Sequence, residues 1–214
     1  RFERDGVSID RGTMCRWVED AGATAGATVI AAAREEAMRT AFCIATDATG
    51  VAVQPIPTQD KRRQACRRGH YFVLIADKDH VFFEYTAKET SPVVSEMFRG
   101  YAGYIQADAK SVYDVLFREP AKTPADDEDS PEVRHEVACW AHARRGFWEA
   151  TVAKSVVARE GLARIGRIFS VDADFRGKPP SEIARLRNVH LRPHLETFAA
   201  WAEQQYALVR DQRG

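Results

Sequence analysis

Two aspartates each follow a short apolar run that is typical of a buried strand. Asp47 ends the run at residues 42–46, and Asp108 ends the run at residues 103–107. Carboxylates at the ends of neighbouring strands can share divalent cations. Paired cations activate a nucleophile and stabilise a leaving oxygen on a phosphodiester. The spacing therefore predicts a metal-dependent phosphoryl-transfer site at Asp47 and Asp108, which a third carboxylate would have to complete.

The elements between and after these aspartates predict how the two carboxylates are brought together. Apolar runs at residues 71–76 and 81–85, joined by a polar turn, indicate a hairpin. Residues 90–98 have the spacing of a helix that crosses over to the strand before Asp108. Residues 133–139 indicate a fifth strand. The pattern predicts an α/β fold with a mixed sheet of about five strands, flanking helices and a helical C-terminal region.

Helices are predicted before and after this sheet. Ser8 or Asp10 could cap a first helix with Met14, Trp17 and Val18 on one face; it is either the second helix of a helix-turn-helix or an ordinary packing helix. A second helix is expected at about residues 23–40.

Beyond the fifth strand we expect helices at residues 141–159 and 161–174, and one from about Ser181 that Pro193 breaks or restarts. Leu195, Phe198, Ala202 and Val209 share one face of this last helix.

Composition narrows the class of protein. The chain has 214 residues, 45% of them hydrophobic and 29% charged, which is typical of a globular protein with one main domain. No apolar stretch approaches the length of a membrane span, and the first ten residues do not read as a signal peptide. We therefore expect a cytoplasmic protein without a membrane partner.

Any affinity for nucleic acid must come from local basic clusters, because 31 basic and 31 acidic residues give a net charge of zero. Residues 51–69 are expected to extend the first strand and then form an exposed loop. One basic cluster lies in this stretch and contains Arg62, Arg63, Arg67 and Arg68. A second, Arg144 and Arg145, follows the fifth strand. Both are predicted to contact phosphates, with solvated surface arginines as the alternative.

The four cysteines are scattered, which favours reduced thiols over a disulfide framework. Two interpretations remain for Cys66, His70, Cys139 and His142. They could form a Cys2His2 zinc site, or they could be thiols and histidines in which His142 is hydrogen-bonded or faces DNA. We favour the second, because the Cys-x3-His and Cys-x2-His spacings are loose for structural zinc.

Several segments resemble the transposases of the insertion sequence 66 family, enzymes with a DDE (Asp, Asp, Glu) ribonuclease H-like catalytic domain. The resemblance covers nearly the whole chain. The sequence Ala-Thr-Asp-Ala-Thr at residues 45–49 stands where the family has His-Ala-Asp-Glu-Thr. Residues 98–101 and 105–109 resemble its second-aspartate segment. Residues 139–147, Cys-Trp-Ala-His-Ala-Arg-Arg-Gly-Phe, are very close to its Cys-Trp-Ala-His-Ala-Arg-Arg-Lys-Phe block.

The resemblance implies a DNA transposase that performs strand cleavage and strand transfer at transposon ends. It implies that Asp47 and Asp108 are catalytic and bind Mg²⁺ or Mn²⁺. The partners it implies are transposon-end and target DNA, and a homo-oligomeric full-length protein. Ala48 and Lys110 depart from the common family residues, although neither removes a ligand.

The family's third acid lies in an Asn-Asn-x-x-Glu-Arg segment that is not found up to Gly214, so the chain is expected to be truncated and inactive alone. Glu149, Glu182 and Glu196 lie outside that motif and do not inherit its role. Two alternatives stay open: a catalytically inactive remnant that only binds DNA or a partner, and another ribonuclease H-like nuclease. We expect a helical lead-in at residues 1–40, a catalytic core at 41–150 and a helical region at 151–214.

Overall fold

A computed structural model describes residues 6, 8–55, 65–77, 79–118 and 133–211, without the side chain of Val209. The chain divides into two compact units, Arg1–Cys139 and Trp140–Gly214. The first unit contains all the described strands. The second unit is helical throughout its described elements. None of the helices in the described parts is long and apolar enough to cross a membrane.

The first unit begins with one continuous helical run and continues into a sheet. Its helices are α1 (Arg11–Ala21), α2 (Ala27–Thr40), α3 (Ser91–Met97) and α4 (Val115–Arg118). Its strands are β1 (Cys43–Val53), β2 (Arg67–Ala76), β3 (His80–Thr86), β4 (Gly103–Ala107) and β5 (Arg134–Ala138). A π-helical turn, Gly22–Gly26, joins α1 to α2, and a 3-10 turn, Ser111–Tyr113, precedes α4.

The sheet has the strand order β3-β2-β1-β4-β5. The first three strands are antiparallel neighbours, whereas β4 runs parallel to both β1 and β5. The hairpin of β2 and β3 supplies the antiparallel part, and α3 makes the crossover that a parallel neighbour requires. This mixed five-stranded sheet with flanking helices confirms the predicted ribonuclease H-like α/β fold.

One face of the sheet forms the core of the first unit. Because side chains alternate along a strand, Ile44 on β1 and Phe72 and Leu74 on β2 point to the same face, and all three are buried. Residues of α2, α3 and α4 complete this core: Ala37, Val94, Met97 and Leu116. The opposite face carries exposed apolar side chains on the outer hairpin: Tyr71, Ile75, Val81, Phe83 and Tyr85.

The first strand extends beyond Asp47 to Val53, as predicted, because β2 pairs with it as far as Arg67. The structure corrects the exposed loop that was expected to follow this extension. Arg67 and Arg68 therefore lie in β2 and not in an exposed loop, whereas Arg62 and Arg63 fall outside the described residues. After β4 the chain forms a 3-10 turn followed by the single turn of α4.

Asp10 caps α1 as predicted, and its carboxylate accepts a hydrogen bond from the Thr13 amide at 3.0 Å. That hydrogen bonding by Thr13 lowers the pKa of Asp10. Met14, Trp17 and Val18 are all exposed, so this face of α1 does not pack within the described chain.

The second unit contains α5 (Trp140–Val152), α6 (Val156–Ala173), α7 (Pro180–Leu186) and α8 (Arg192–Asp211). The predicted break near residue 160 is wrong: the chain breaks at Ala153–Ser155, where Ser155 caps α6. A π-helical turn, Arg187–Leu191, joins α7 to α8, so Pro193 lies in the first turn of a helix and does not interrupt one. Ile168, Phe175 and Leu191 form the buried core of this unit, with Leu195 and Phe198 packed against it.

Candidate metal site

Asp47 and Asp108 lie side by side at the carboxyl end of the parallel part of the sheet. The parallel pairing of β1 and β4 ends with Ala45 opposite Gln106, and the same register two residues further places Asp47 opposite Asp108. A carboxylate oxygen of Asp47 lies within 4.8 Å of one from Asp108. The two acids that the sequence singled out are therefore brought together, although they are 61 positions apart in the chain.

The local backbone holds each carboxylate in a defined position. Asp47 lies within β1, and its Oδ1 accepts a hydrogen bond from the Ala48 amide at 2.8 Å. Asp108 follows the last residue of β4, and its side chain is 13% exposed. Its Oδ1 is buried and has no hydrogen-bond partner among the described residues. A buried carboxylate oxygen without a donor is costly, so this atom is suited to receive a cation or a donor.

Lys110 and Glu89 extend the charged cluster on one side of Asp108. The Nζ of Lys110 donates a hydrogen bond to Glu89 Oε1 at 3.0 Å and lies 3.4 Å from Asp108 Oδ2. Burial lowers the pKa of Lys110, but the hydrogen bond to Glu89 and the charge of Asp108 outweigh it and raise that pKa overall. The second oxygen of Glu89 lies 3.4 Å from His70 Nδ1.

Two buried hydroxyl groups lie beneath the carboxylates. Thr46 is 6% exposed on the core face of β1, and Tyr113, in the 3-10 turn after Asp108, is 2% exposed. Their hydroxyl groups face each other, yet neither makes a hydrogen bond of ordinary geometry within the described chain. Burial raises the pKa of Tyr113 first, followed by the negative charges of Asp108 and Glu89.

The donor set fits a hard divalent cation. Mg²⁺ and Mn²⁺ prefer carboxylate oxygens, and Mg²⁺–oxygen bonds of about 2.0–2.1 Å hold two oxygens of one ion at most about 4.2 Å apart. The two carboxylate oxygens lie within 4.8 Å of each other, so a small rotation of either side chain brings them to that separation. The unpartnered Oδ1 of Asp108 leaves one ligand atom uncommitted to the protein. Among the described residues of the first unit, Asp47 and Asp108 are thus grouped closely enough to hold a metal ion.

Arg67 and Arg68 lie at the far end of the β1–β2 hairpin. Both are exposed, and with Gly50, Val51 and Cys66 they line a shallow groove of about 300 Å³. The guanidinium of Arg68 lies directly over Gly50, where a Cβ would approach it within 2.9 Å. These two arginines present positive charge at the surface of a strand pair.

Three predicted DNA-contacting residues belong to helix α5 of the second unit. His142 is half-buried in the first turn of the helix, whereas Arg144 and Arg145 are exposed. Arg145 is engaged in an ion pair, since its Nε lies 2.9 Å from Glu149 Oε1. Glu182 is likewise paired, with Lys178 at 3.1 Å.

The alternative zinc ligands are distributed over both units. Cys66 is exposed just before β2, and His70 lies within β2 beside Glu89. Cys139 is half-buried directly after β5. Among the described residues, neither Cys66 nor Cys139 belongs to a cluster of three potential metal ligands.

Sequence patterns do not identify Thr46, Glu89 and Tyr113 as site residues. Nothing in the local pattern distinguishes these three side chains from those of their neighbours. Thr46 precedes Asp47 and therefore points to the opposite face of β1. Tyr113 lies five positions after Asp108, which indicates proximity once a turn is known to follow β4.

Comparison with known proteins agrees with this architecture. One relative, "Uncharacterized protein y4qI" of Sinorhizobium fredii (strain NBRC 101917 / NGR234), is 30% identical over 95 residues, or 44% of this chain. That alignment spans 17% of the relative's length. The family model described as "Transposase IS66 family" matches residues 1–213. With two neighbouring aspartates on a ribonuclease H-like sheet and a family match over nearly its whole length, the chain belongs to the IS66 transposase family.

Proposed function

We propose that this chain provides the two-aspartate part of a transposase active site that cleaves DNA strands at transposon ends and joins them to target DNA. Asp47 and Asp108 are the catalytic, metal-binding residues, and Mg²⁺ or Mn²⁺ is the cofactor. Membership of a DDE transposase family supports nucleotidyl transfer as the reaction class. The observation that carries the assignment to these residues is the approach of the two carboxylates to within 4.8 Å at the end of β1 and β4.

Each residue contributes through its position. Asp47 is fixed by its place inside β1 and by the Ala48 amide, so its carboxylate needs little reorganisation to bind a cation. Asp108 offers its unpartnered Oδ1, and Lys110 lies close to its other oxygen. When bound, divalent cations supply Lewis acidity that activates water or a 3′-hydroxyl group and stabilises the leaving oxygen. The negative charge concentrated at the pair is what attracts the cation to this end of the sheet.

We further propose that basic residues outside the metal site bind the DNA backbone. Arg67 and Arg68 are exposed on β2 and could contact phosphates, together with Arg62 and Arg63, which lie outside the described residues. In α5, His142, Arg144 and Arg145 are the corresponding candidates. Such contacts bind DNA without reading its sequence. Strand transfer at paired ends favours a homo-oligomer of the full-length protein.

Metal binding by this chain tests the proposal most directly. We expect Mn²⁺ to bind the wild-type chain, as measured by electron paramagnetic resonance and calorimetry. Asp47→Asn and Asp108→Asn should each weaken binding about tenfold or more, because each removes a charged ligand. Asp79→Asn is the matched control: it removes the same charge from an exposed turn of the same sheet and should change the affinity less than about twofold.

Nicking of labelled transposon-end DNA then separates catalysis from DNA binding. The proposal predicts metal-dependent nicking in a full-length parent that is lost with Asp47→Asn while DNA affinity is retained. If the full-length parent binds DNA but shows no metal-dependent nicking, a DNA-binding remnant is the better description. Preferential cleavage of RNA–DNA hybrids over transposon ends would favour another ribonuclease H-like nuclease.

A further inference from the structure

Thr46 and Tyr113 place two hydroxyl groups in the core at the edge of the carboxylate pair. Both residues are more than nine-tenths buried. Within the described part of the chain, Asp108 Oδ1 has no hydrogen-bond partner, and the Thr46 and Tyr113 hydroxyls face each other without a hydrogen bond of ordinary geometry. The charges of Asp108, Glu89 and Asp47 all act on the Tyr113 hydroxyl, so this group lies within electrostatic reach of the acids. Three buried polar atoms of this region therefore lack a hydrogen bond of ordinary geometry.

This arrangement is costly unless it serves a ligand. A buried hydroxyl without a hydrogen bond loses its hydration and gains nothing in return, so native proteins rarely keep one. Tyr101 shows the usual solution in the same unit: its hydroxyl, equally buried, lies 3.1 Å from the Phe42 carbonyl and 3.0 Å from that of Tyr104. A phenylalanine at position 113 and a valine at position 46 would fill the same space without unpaired atoms.

We propose that Thr46 and Tyr113 form a buried hydroxyl pair that positions Asp108 for cation binding, with one ordered water molecule joining both hydroxyl groups to Asp108 Oδ1. A water molecule needs about two to four polar partners to be held in a buried site, and these three atoms supply them. The inference rests on the proposed metal site, because the pair acts on the cation through Asp108. Thr46 and Tyr113 are positioning residues, since neither is argued to touch the metal or the DNA.

The pair would act in two ways. It would limit rotation of the Asp108 carboxylate, so that the ligand oxygen meets the cation without loss of side-chain freedom. It would also provide a hydrogen-bond donor to Asp108 Oδ1, through the water molecule, when no cation is bound.

Mn²⁺ affinity of Tyr113→Phe and Thr46→Val tests the inference. We expect each variant to weaken Mn²⁺ binding about tenfold, the magnitude typical of removing a partner of a metal ligand. The double variant should lose little more than either single variant, because both remove the same water-mediated contact. Tyr101→Phe and Thr49→Val are the matched controls. Each makes the same substitution as one test variant, removes a hydroxyl group away from Asp108 and should leave the Mn²⁺ affinity unchanged.

Thermal unfolding without metal supplies a second measurement, in which the control variant should be affected more than the test variant. Tyr113→Phe should lower the melting temperature less than Tyr101→Phe does, because the Tyr113 hydroxyl makes no direct hydrogen bond of ordinary geometry to the protein, whereas the Tyr101 hydroxyl contacts two carbonyl groups. Wild-type Mn²⁺ affinity in Tyr113→Phe would overturn the inference while leaving the metal site standing. A wild-type chain that binds no Mn²⁺, or an Asp108→Asn variant that binds it normally, would instead overturn the proposed function on which the inference rests.

Discussion

Lys110 holds its ammonium group 3.4 Å from Asp108 Oδ2, at the carboxylate proposed to bind a cation. A hydrogen bond to Glu89 at 3.0 Å keeps it there. The ammonium neutralises part of the charge that would attract a metal ion, so its removal should favour the metal. We predict that Lys110→Gln raises Mn²⁺ affinity about threefold at low salt, and that the gain shrinks as ionic strength rises, because Lys110 is 47% exposed.

Lys178→Gln controls for the change in net charge. Lys178 is 41% exposed and pairs with Glu182 at 3.1 Å in the second unit, so the substitution also removes one lysine ion pair. Its Mn²⁺ affinity should equal that of the wild-type chain. Unchanged affinity in Lys110→Gln would show that the ammonium group and the cation do not compete.

The sheet and the aspartate pair could be predicted because they depend on local patterns. The alternation that buries Ile44, Phe72 and Leu74 also defines the strands, and the crossover helix then places Asp47 next to Asp108. Thr46 and Tyr113 could not be assigned in this way. They meet across 67 positions through a turn whose course depends on the packing of α3 and α4, and neither a threonine nor a tyrosine is a residue type that marks a metal site in a sequence.

Helix ends are harder to predict at a glycine, because a glycine can either mark a helix boundary or allow close packing inside a helix. The sequence pattern predicts that Gly161 begins a helix, yet it lies inside α6. The actual break falls at Lys154, which has a φ of 59°, and at Ser155, whose hydroxyl accepts a hydrogen bond from the Ala158 amide. Gly161 is explained by its close contact with the Phe147 ring, which leaves no room for a Cβ and cannot be seen in the sequence.

Arg134 connects the start of β5 to the loop before β4. Its Nε donates to the Tyr101 carbonyl at 3.0 Å and its Nη2 donates to the Phe98 carbonyl at 2.9 Å. Both acceptor residues are fully buried. Because hydrogen bonds from a charged donor contribute about 1.5–3 kcal/mol each, loss of both in Arg134→Ala should destabilise the sheet edge by about 3–6 kcal/mol.

Hydrogen exchange of the β4 and β5 amides measures this loss. Arg118→Ala is the control, since Arg118 is 76% exposed and pairs with Asp114 one helical turn away. It should change these exchange free energies by less than about 0.5 kcal/mol. Equal effects of the two substitutions would contradict a special role for Arg134.

The reactivity of Cys43 should depend on Asp77. Burial raises the pKa of the Cys43 thiol, and the charge of Asp77 raises it further. Asp77 also accepts hydrogen bonds from the Phe42 and Cys43 amides at 3.1 and 2.9 Å. A raised thiol pKa means that the reactive thiolate forms at higher pH. Asp77→Asn removes the charge and should shift the onset of Cys43 alkylation to lower pH.

Mass spectrometry after short iodoacetamide pulses at increasing pH follows this site separately from the other cysteines. Asparagine tolerates the left-handed backbone at position 77, where φ is 52°, so the turn should persist. Asp79→Asn, in the same turn, should leave the Cys43 profile unchanged. An identical onset in the wild type and Asp77→Asn would exclude the electrostatic contribution.

Gly161 and Gly166 lie in the same helix, but substitution by alanine should have opposite effects at the two positions. A Cβ at position 161 would lie 2.3 Å from the Phe147 ring, whereas a Cβ at position 166 would meet no atom within 4 Å. Gly161→Ala should therefore destabilise the second unit by about 1–3 kcal/mol through overpacking. Gly166→Ala should stabilise it by up to about 1 kcal/mol, because alanine has the higher helix propensity.

Urea unfolding followed by tryptophan fluorescence reports on this unit, since the Trp201 ring lies 6.0 Å from that of Phe147. A second substitution identifies the cause: Phe147→Leu should cost stability in the wild-type background but recover part of the loss in Gly161→Ala, because it removes the clashing ring atoms. If Gly161→Ala were as stable as Gly166→Ala, the contact between α5 and α6 at Phe147 would have to be looser than the structure shows.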